Sequence, residues 1–538
     1  MESVASVAST RQELPRAETA SIVNAVDPVS ITGVGFTRTL TDKGGAYELP
    51  EAQRAYICLL EDFRLFVSNS HRVEPSVLSF LARLDHDGVR YKTIPVSVND
   101  IRALYQRASL DTVMTAANLS AMQGRVMRLL KDAVAENASD VHIVVREDDC
   151  TIRMRVDGDL TDVSFRSNPT AVEGTALQRT IYQSMCDLAD STFRPHRMQD
   201  ARLAKTFVGE LGLYGARVAT RPTDAGLLMV LRLLYDRTAS KPTLDSIGLL
   251  PVQVKLVRRM KGSRTGISIL SGPTGAGKST TLECVLTEVV KDTGGRKNVI
   301  TVENPVEYAI QGTIQTPIMA DGDDPEAVSL AWVRSISNVL RLDPDVLMIG
   351  EMRDAHSAKA AFHAAMTGHS VWTTLHANDA FSILERLAEM GIPPSLMFDP
   401  TLVVGLVNQG LVKKLCPYCS VPLTPRLIRT LPEDLVDRIS ETCNDSVIRL
   451  RGAGCPRCKQ KGIKGRAMVS ECIVPTQTLM SVFKNEGKIA ARQMWVRQLN
   501  GITKNAALLD LVRAGSVDPR DAEEDICLLD EDATVMES

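Results

Sequence analysis

The period of the apolar positions changes several times along the chain, and each change marks an element. From about residue 47 to 115 the spacing is helical, through Tyr56, Leu59, Leu60 and Phe63 and then Val77, Leu78, Phe80, Leu81 and Leu84. That predicts a small helical domain over 47–117. Residues 1–46 lack this periodicity, and 1–30 are polar and rich in Ala, Ser and Thr, so this N-terminus is expected to be poorly ordered. An amphipathic helix is predicted over Met122–Ala135, with Val126, Met127, Leu129, Leu130 and Val134 on one face. Strand patterns follow at 138–145, at 151–160 around an Asp157-Gly158 turn, at 214–221 and at 227–234. These make a mixed α/β domain over 118–240.

Between 241 and 410, short buried strands alternate with helices. ISIL precedes the helix-compatible stretch Thr280–Val290, and VITV ends at Glu303. Helix 327–341 precedes VLMIG, and helix 356–367 precedes VWTTL. Such alternation predicts a parallel, doubly wound sheet, in which ligands bind at the carboxyl ends of the strands. Residues 411–475 carry clustered cysteines, and 476–538 read as helices and a strongly acidic tail expected to fray after Asp518.

Composition narrows the class without naming a chemistry. The chain has 538 residues, 44% hydrophobic and 24% charged, with a net charge of −3. That is globular composition without the basic excess of a nucleic-acid binder. No apolar run is long enough to span a bilayer, and the N-terminus has no apolar signal core. A soluble intracellular protein is expected. Eleven cysteines in a chain this long do not suggest a disulfide scaffold.

The chemistry begins at ISILSGPTGAGKSTT, 267–281. Here a strand, a glycine loop and a helix follow one another, the setting of a phosphate-binding P-loop. Gly272, Pro273, Thr274, Gly275, Ala276 and Gly277 form the loop, whose glycines let backbone N–H groups turn toward an anion. Lys278 supplies an ammonium for the β- and γ-phosphates, and Ser279, followed by Thr280, supplies a hydroxyl for Mg²⁺. The motif implies a bound nucleoside triphosphate.

Three further residues lie at or just past strand ends and so belong with Lys278. Glu351 is placed to hold the Mg²⁺ water shell or orient the nucleophile, and Glu303 to play the complementary part. His376, and with it His369, are candidates to contact the γ-phosphate. In the 118–240 domain, Arg153, Arg155, Arg217, Arg221 and Arg232 stand on strands. For any single one a solvated face is the simpler reading. Arg232, inside an apolar run, calls for a specific partner.

Cys416-Pro-Tyr-Cys419 and Cys455-Pro-Arg-Cys458 are two C-x-x-C knuckles. Four thiolates from two such turns suit a closed, tetrahedral, structural Zn²⁺. The spacer is long enough to hold a helix, at 434–442. Lys459, Lys461, Lys464 and Arg466 make the module locally basic, ordinarily a solvated face.

Taken together, these motifs resemble the secretion and pilus-assembly ATPases, the group of type II secretion ATPases and type IV pilus extension ATPases, over about 118–515. SGPTGAGKSTT resembles the family's Walker A, ITVENPVEY its aspartate box and LRLDPDVLMIGEMRD its Walker B. AAMTGHSVWTTLHANDA resembles its histidine box, and the four cysteines its tetracysteine module. The resemblance implies a RecA-like domain after a mixed α/β domain, with a small zinc module and a helical C-terminus. It implies a homo-hexameric ATPase requiring ATP and Mg²⁺, peripheral at the cytoplasmic face of the inner membrane. Such an enzyme acts on a membrane platform protein, with no nucleic acid expected, to assemble a type IV pilus or a type II secretion pseudopilus. Pilus retraction and DNA translocation are the alternatives. By resemblance, Arg217 and Arg232 reach nucleotide from the domain before the P-loop, across a hinge at 236–248. Asn304 stands where the aspartate box usually has Asp, which shifts weight to Glu303.

Overall fold

The computed structural model describes residues 39–42, 47–60, 62–112, 116–163, 169–188, 192–236, 241–318, 325–443 and 447–536. The chain separates into two compact units, Met1–Met122 and Gln123–Ser538. The poorly ordered N-terminus expected from the sequence lies mostly outside the described residues.

In the first unit, strands β1 (Ile57–Leu59), β2 (Arg64–Ser68) and β3 (Lys92–Val96) form a sheet in that order. Ile57, Leu59, Leu65 and Val67 pack on Val77, Phe80 and Leu84 of helix Pro75–His86. Cys58, Leu60 and Phe66 pack on Ile101 and Leu104 of helix Val98–Thr112. The first apolar stretch is therefore strand, not the helix expected for it. Its residues alternate between two covered faces, and a strand buried on both sides reads as a continuous apolar run with no period of its own.

The second unit opens inside helix Ala116–Ala135, at Gln123, and continues into a wholly antiparallel sheet. Its strands are β4 (Asp140–Val145), β5 (Cys150–Val156), β6 (Asp159–Asp162), β7 (Cys186–Leu188), β8 (Gln199–Leu203), β9 (Leu213–Thr223) and β10 (Gly226–Tyr235). Their order is β6-β5-β4-β10-β9-β8-β7. β5 alternates buried and half-buried positions throughout. The buried face takes helix Ala171–Met185, whose Gln178 Nε2 donates to the carbonyls of Ile143 and Leu227 at 3.0 and 3.1 Å. The other face carries the arginines.

The P-loop sheet uses β11 (Gly266–Ser271), β12 (Val299–Glu303), β13 (Ile314–Pro317), β14 (Val346–Ile349), β15 (Ser370–Leu375), β16 (Val403–Leu415) and, after the short pair β17 (Val421–Pro422) and β18 (Arg449–Leu450), β19 (Ile463–Ile473). The order is β13-β12-β14-β15-β11-β16-β19, parallel except for the last pairing. Trp332, Ile336 and Phe362 cover one face, from helices Pro325–Val339 and Ala355–Met366. Val254, Val257, Val285 and Leu286 cover the other, from helices Pro251–Lys261 and Lys278–Thr293.

Two expectations are corrected here. The division at 410/411 falls inside β16, and β19, assigned to the cysteine module, closes the P-loop sheet by pairing with β16. The module is thus an excursion between two strands of that sheet. The acidic tail does not fray through its described length. Helices Pro519–Asp525 and Glu531–Met536 pack there, with Ala522 and Leu529 in the core beside Val412, Val469 and Leu508. Its acids find buried bases: Lys413 meets Asp521, Glu524 and Asp525 at 3.3–3.6 Å, and Arg492 meets Asp532 at 2.9 Å.

Candidate functional site

Parallel register brings the candidate residues together. β11 pairs with β15 from Gly266↔Ser370 to Ser271↔Leu375, so the loop after Ser271 and the residue after Leu375 leave the sheet at one edge. β12 and β14 end at that edge too, delivering Glu303 and Glu351. Gly350 N donates to Val302 O at 2.8 Å, and a Cβ on Gly350 would fall 3.5 Å from Glu303 Cα. The same Cβ would fall 3.3 Å from Val302 O, so a side chain at 350 would fit only with a small shift of its neighbours.

The loop itself takes the form the glycines allow. Gly272, Gly275 and Gly277 have φ of +139°, +81° and +85°, and Gly277 caps helix Lys278–Thr293. The helix thereby directs its positive end and free N–H groups at the loop. Pro273, Thr274 and Gly275 are exposed, while Ala276 is buried. Lys278 Nζ donates to the carbonyls of Gly272 and Pro273 at 2.7 and 3.1 Å. Burial pulls its ammonium below the usual range, and the charges of Glu351 and Glu307 oppose that shift.

Glu351 is held on both oxygens, by Arg353 Nε at 2.7 Å and His376 Nε2 at 3.3 Å. Glu303 is 8% exposed. Burial pushes its carboxyl above the usual range, against hydrogen bonds from Thr301 Oγ1 at 2.6 Å and Gln315 Nε2 at 3.0 Å. Gln315 also donates to Tyr308 O and accepts from Ile310 N, tying the Glu303–Glu307 turn to β13. Asn304 is exposed. Ser279, Glu303 and Glu351 together offer a hydroxyl and two carboxylates, a set of hard oxygen donors of the kind Mg²⁺ accepts.

His369 does not belong to the site. It precedes β15 at the opposite edge of the sheet, where its carbonyl accepts from Gly266 N and its Nδ1 lies 3.0 Å from Ala364 O. Two histidines in one motif looked equivalent in sequence, but a strand of six residues separates them by about 20 Å. Arg217 and Arg232 also lie outside this group. They face each other across β9 and β10, and their acidic partners are Asp200 at 3.8 Å and Asp140 at 3.0 Å, on the same sheet. Of the hinge expected at 236–248, Asp236 and residues 241–248 are described, and there Thr243 N donates to Ser246 Oγ and Gly248 has φ of +100°.

Sequence reasoning passed over Asn408 and Gln409. Both are fully buried on β16. Gln409 Nε2 donates to Ala276 O at 2.7 Å, and its Oε1 accepts from Thr281 Oγ1 at 2.9 Å. One side chain thus clamps the loop to its helix. A Cβ on Gly272 would fall 2.2 Å from Gln409 O, so this glycine is needed for clearance as well as φ. Asn408 Nδ2 donates to Ser271 Oγ and Ala377 O, joining the strands that lead to the loop and to His376. The available signal was two adjacent amides inside the apolar run VVGLVNQGLV.

The four cysteines converge, with all Sγ atoms within 4.8 Å of one another. Measured separations are 3.9 Å for Cys416–Cys455 and 3.7 Å for Cys419–Cys458 and Cys455–Cys458. A tetrahedron with Zn–S bonds of about 2.3 Å has edges of about 3.8 Å, so the cluster fits Zn²⁺. Burial opposes ionisation of Cys458, but N–H donors from Cys455 and Gly462 outweigh it and bring the thiol down to about 6. Cys419 is pushed up to about 12 by burial and by the neighbouring thiols. A cation at the centre is what lets all four ionise together. Lys459 and Lys461 are not a free solvated face, since both reach Glu136, at 2.9 and 3.2 Å.

Residues 115–522 match the family described as Type II/IV secretion system protein. The chain is 33% identical over 387 residues to a "Type II secretion system ATPase E" of Vibrio cholerae, covering 72% of each. It is also 33% identical over 356 residues to a "Type IV pilus assembly ATPase PilB" of Thermus thermophilus, covering 66% of this chain and 37% of that one. The X-ray structure of the Legionella pneumophila ATPase DotB matches with a TM-score of 0.50 at 20% identity, covering 74% of this chain and 94% of that one, a likeness of fold.

Proposed function

This chain belongs to the Type II/IV secretion system protein family, and from that premise we propose that it is a Mg²⁺-dependent ATPase, working as a homo-hexamer at the cytoplasmic face of the inner membrane, that drives assembly of a pilin-like fibre, a secretion pseudopilus or a type IV pilus, through a platform protein. One observation carries the catalytic part. Lys278, Glu303, Glu351 and His376 leave four different strands of one parallel sheet and meet at its carboxyl edge. The names of the relatives carry the rest. No helix among the described residues is long and apolar enough to cross a membrane, which is compatible with a peripheral position.

In this reading the loop amides and Lys278 bind and neutralise the phosphates. Mg²⁺, when bound, supplies charge neutralisation at the β- and γ-phosphates, with Ser279, Glu303 and Glu351 as the residues to hold it and its waters. Glu351 orients the attacking water, and Arg353 and His376 fix its two oxygens. His376 is half exposed, so it can exchange Glu351 for a phosphate oxygen. Arg217 and Arg232 supply charge from the preceding domain, as an arginine finger does, worth about 10³–10⁵ in rate where measured.

The test is steady-state ATP hydrolysis beside light-scattering mass. Lys278→Ala is expected to abolish turnover, and Glu351→Gln to keep nucleotide binding while losing most hydrolysis. Arg217→Ala and Arg232→Ala should do the same, with the wild type forming hexamers in nucleotide. Full activity of Glu351→Gln would overturn the site assignment, and full activity from a strict monomer the ring.

A further inference from the structure

The loop after His376 is held in an unexpected way. Four consecutive residues are each anchored to a different element. Ala377 O accepts from Asn408 Nδ2 of β16 at 2.9 Å. Asn378 O accepts from Lys504 Nζ, at the start of helix Lys504–Arg513. Asp379 Oδ2 lies 2.7 Å from Lys488 Nζ, the first residue of helix Lys488–Leu499. Ala380 N donates to Glu471 Oε2 of β19 at 2.9 Å.

Glu471 is the centre of this arrangement and has no exposed surface. Its Oε1 accepts from Lys504 N at 3.2 Å and meets Arg492 Nη2 at 3.2 Å. Arg492, 5% exposed, also reaches Asp532 at 2.9 Å, and Asp532 accepts from Thr503 Oγ1. Lys488 further bonds Ser382 Oγ and Glu385. Burying a carboxylate and a guanidinium gains little stability over apolar packing of the same volume. What a buried polar network does well is select one arrangement of the chain, although here the buried Arg492 Nε finds no partner among the described residues.

We propose that Glu471, Lys488, Arg492 and Lys504 are positioning residues for hydrolysis: they fix the 377–380 loop so that the His376 imidazole is held against Glu351 at the phosphate site. The proposal rests on the ATPase reading above. His376 sits one residue before the first anchor, on a side chain that is 53% exposed and meets Glu351. Where its ring can reach depends on the backbone that follows. That backbone is fastened to β16 and β19 and to the first residues of two C-terminal helices. Misplacing a reacting group by about 1 Å can cost roughly 100-fold in rate.

The experiment uses the full chain with Lys488→Met, Lys504→Met and the pair, which keep the aliphatic stems and leave the buried Glu471–Arg492 pair intact. Unchanged melting temperatures identify folded protein. The expected result for the pair is a fall in kcat of about 10- to 100-fold with KM for ATP unchanged. Hydrogen–deuterium exchange of a peptide covering 376–382 should be faster than in the wild type without nucleotide. In a His376→Ala background the same pair should cost nothing further, because the group being positioned is gone. Losses that multiply with that of His376→Ala, or a loop whose exchange is unchanged, would overturn the proposal while leaving the ATPase reading intact. A wild type that does not hydrolyse ATP would overturn the ATPase reading and this inference with it.

Discussion

Two carboxylates help tie the domain before the P-loop to the rest of the second unit, beside a hydrogen bond from Lys459 Nζ to Ala135 O at 2.9 Å, and removing them should loosen it. Asp159, at the β5–β6 turn, meets Lys413 at 3.1 Å and Arg451 at 3.5 Å. Glu136, just after helix Ala116–Ala135, meets Lys459 at 2.9 Å and Lys461 at 3.2 Å. The perturbation is Asp159→Asn with Glu136→Gln. Partly exposed pairs are worth about 0.2–1 kcal/mol each, so the four contacts together supply roughly 0.8–4 kcal/mol. At about 1.4 kcal/mol per decade, the open population should rise roughly 4- to 700-fold. The fold itself should survive, because Lys413 is not stranded when Asp159 lets go. Asp521, Glu524 and Asp525 remain at 3.6, 3.3 and 3.4 Å. The assay is hydrogen–deuterium exchange of peptides covering 153–162 and 455–464, which should speed up in the double variant at an unchanged melting temperature. Raising salt from 0.1 to 1 M, where the screening length falls from about 10 to 3 Å, should move the wild type the same way. Lys459 and then Lys461 hold the Glu136 carboxyl below the usual range. A depressed carboxylate contributes stability above its unfolded pKa and loses it as pH falls through the folded value, so acid should also loosen the contact. Exchange that is identical in wild type and double variant, at both salt concentrations, would refute the reasoning.

Three other outcomes are expected. Gln409→Leu leaves Ala276 O and the Thr281 hydroxyl without their buried partner, at a cost of about 1–3 kcal/mol; weaker binding of a fluorescent nucleotide with the rest of the fold intact would show it. Protein purified without chelator should carry about one zinc per chain by elemental analysis, and stripping it should loosen 416–462 before the P-loop domain does. Glu303 is raised by burial, so its ionisation costs folded stability as pH rises through the shifted value. If the carboxylate is the working form, hydrolysis should climb over that same interval above the ordinary carboxylate range, and Glu303→Gln should flatten the limb of the pH–rate profile.

The P-loop, the parallel sheet around it and the cysteine knuckles were legible because their signals are local. A glycine pattern dictates its own backbone, a strand–helix alternation dictates its topology, and two C-x-x-C turns each place two thiolates near one another without help. Arg232 looked like a charge inside an apolar run, but β10 alternates between two faces and Arg232 stands on the exposed one, paired with Asp140. What the sequence could not decide is everything that depends on which distant segments meet. Whether the first apolar stretch is strand or helix turned on its being covered on both faces. Whether the acidic tail frays turned on Lys413, Arg438 and Arg492 lying where its carboxylates arrive. His369 and His376 differ only by the length of a strand, which becomes a distance only once the sheet is assembled. Gln409 and Glu471 look like stray polar residues in apolar strands until β16 and β19 place them beneath the loops they hold. Local patterning determined which groups of the site exist, and tertiary packing determined which of them touch, because burial and register are properties of pairs of segments and not of either alone.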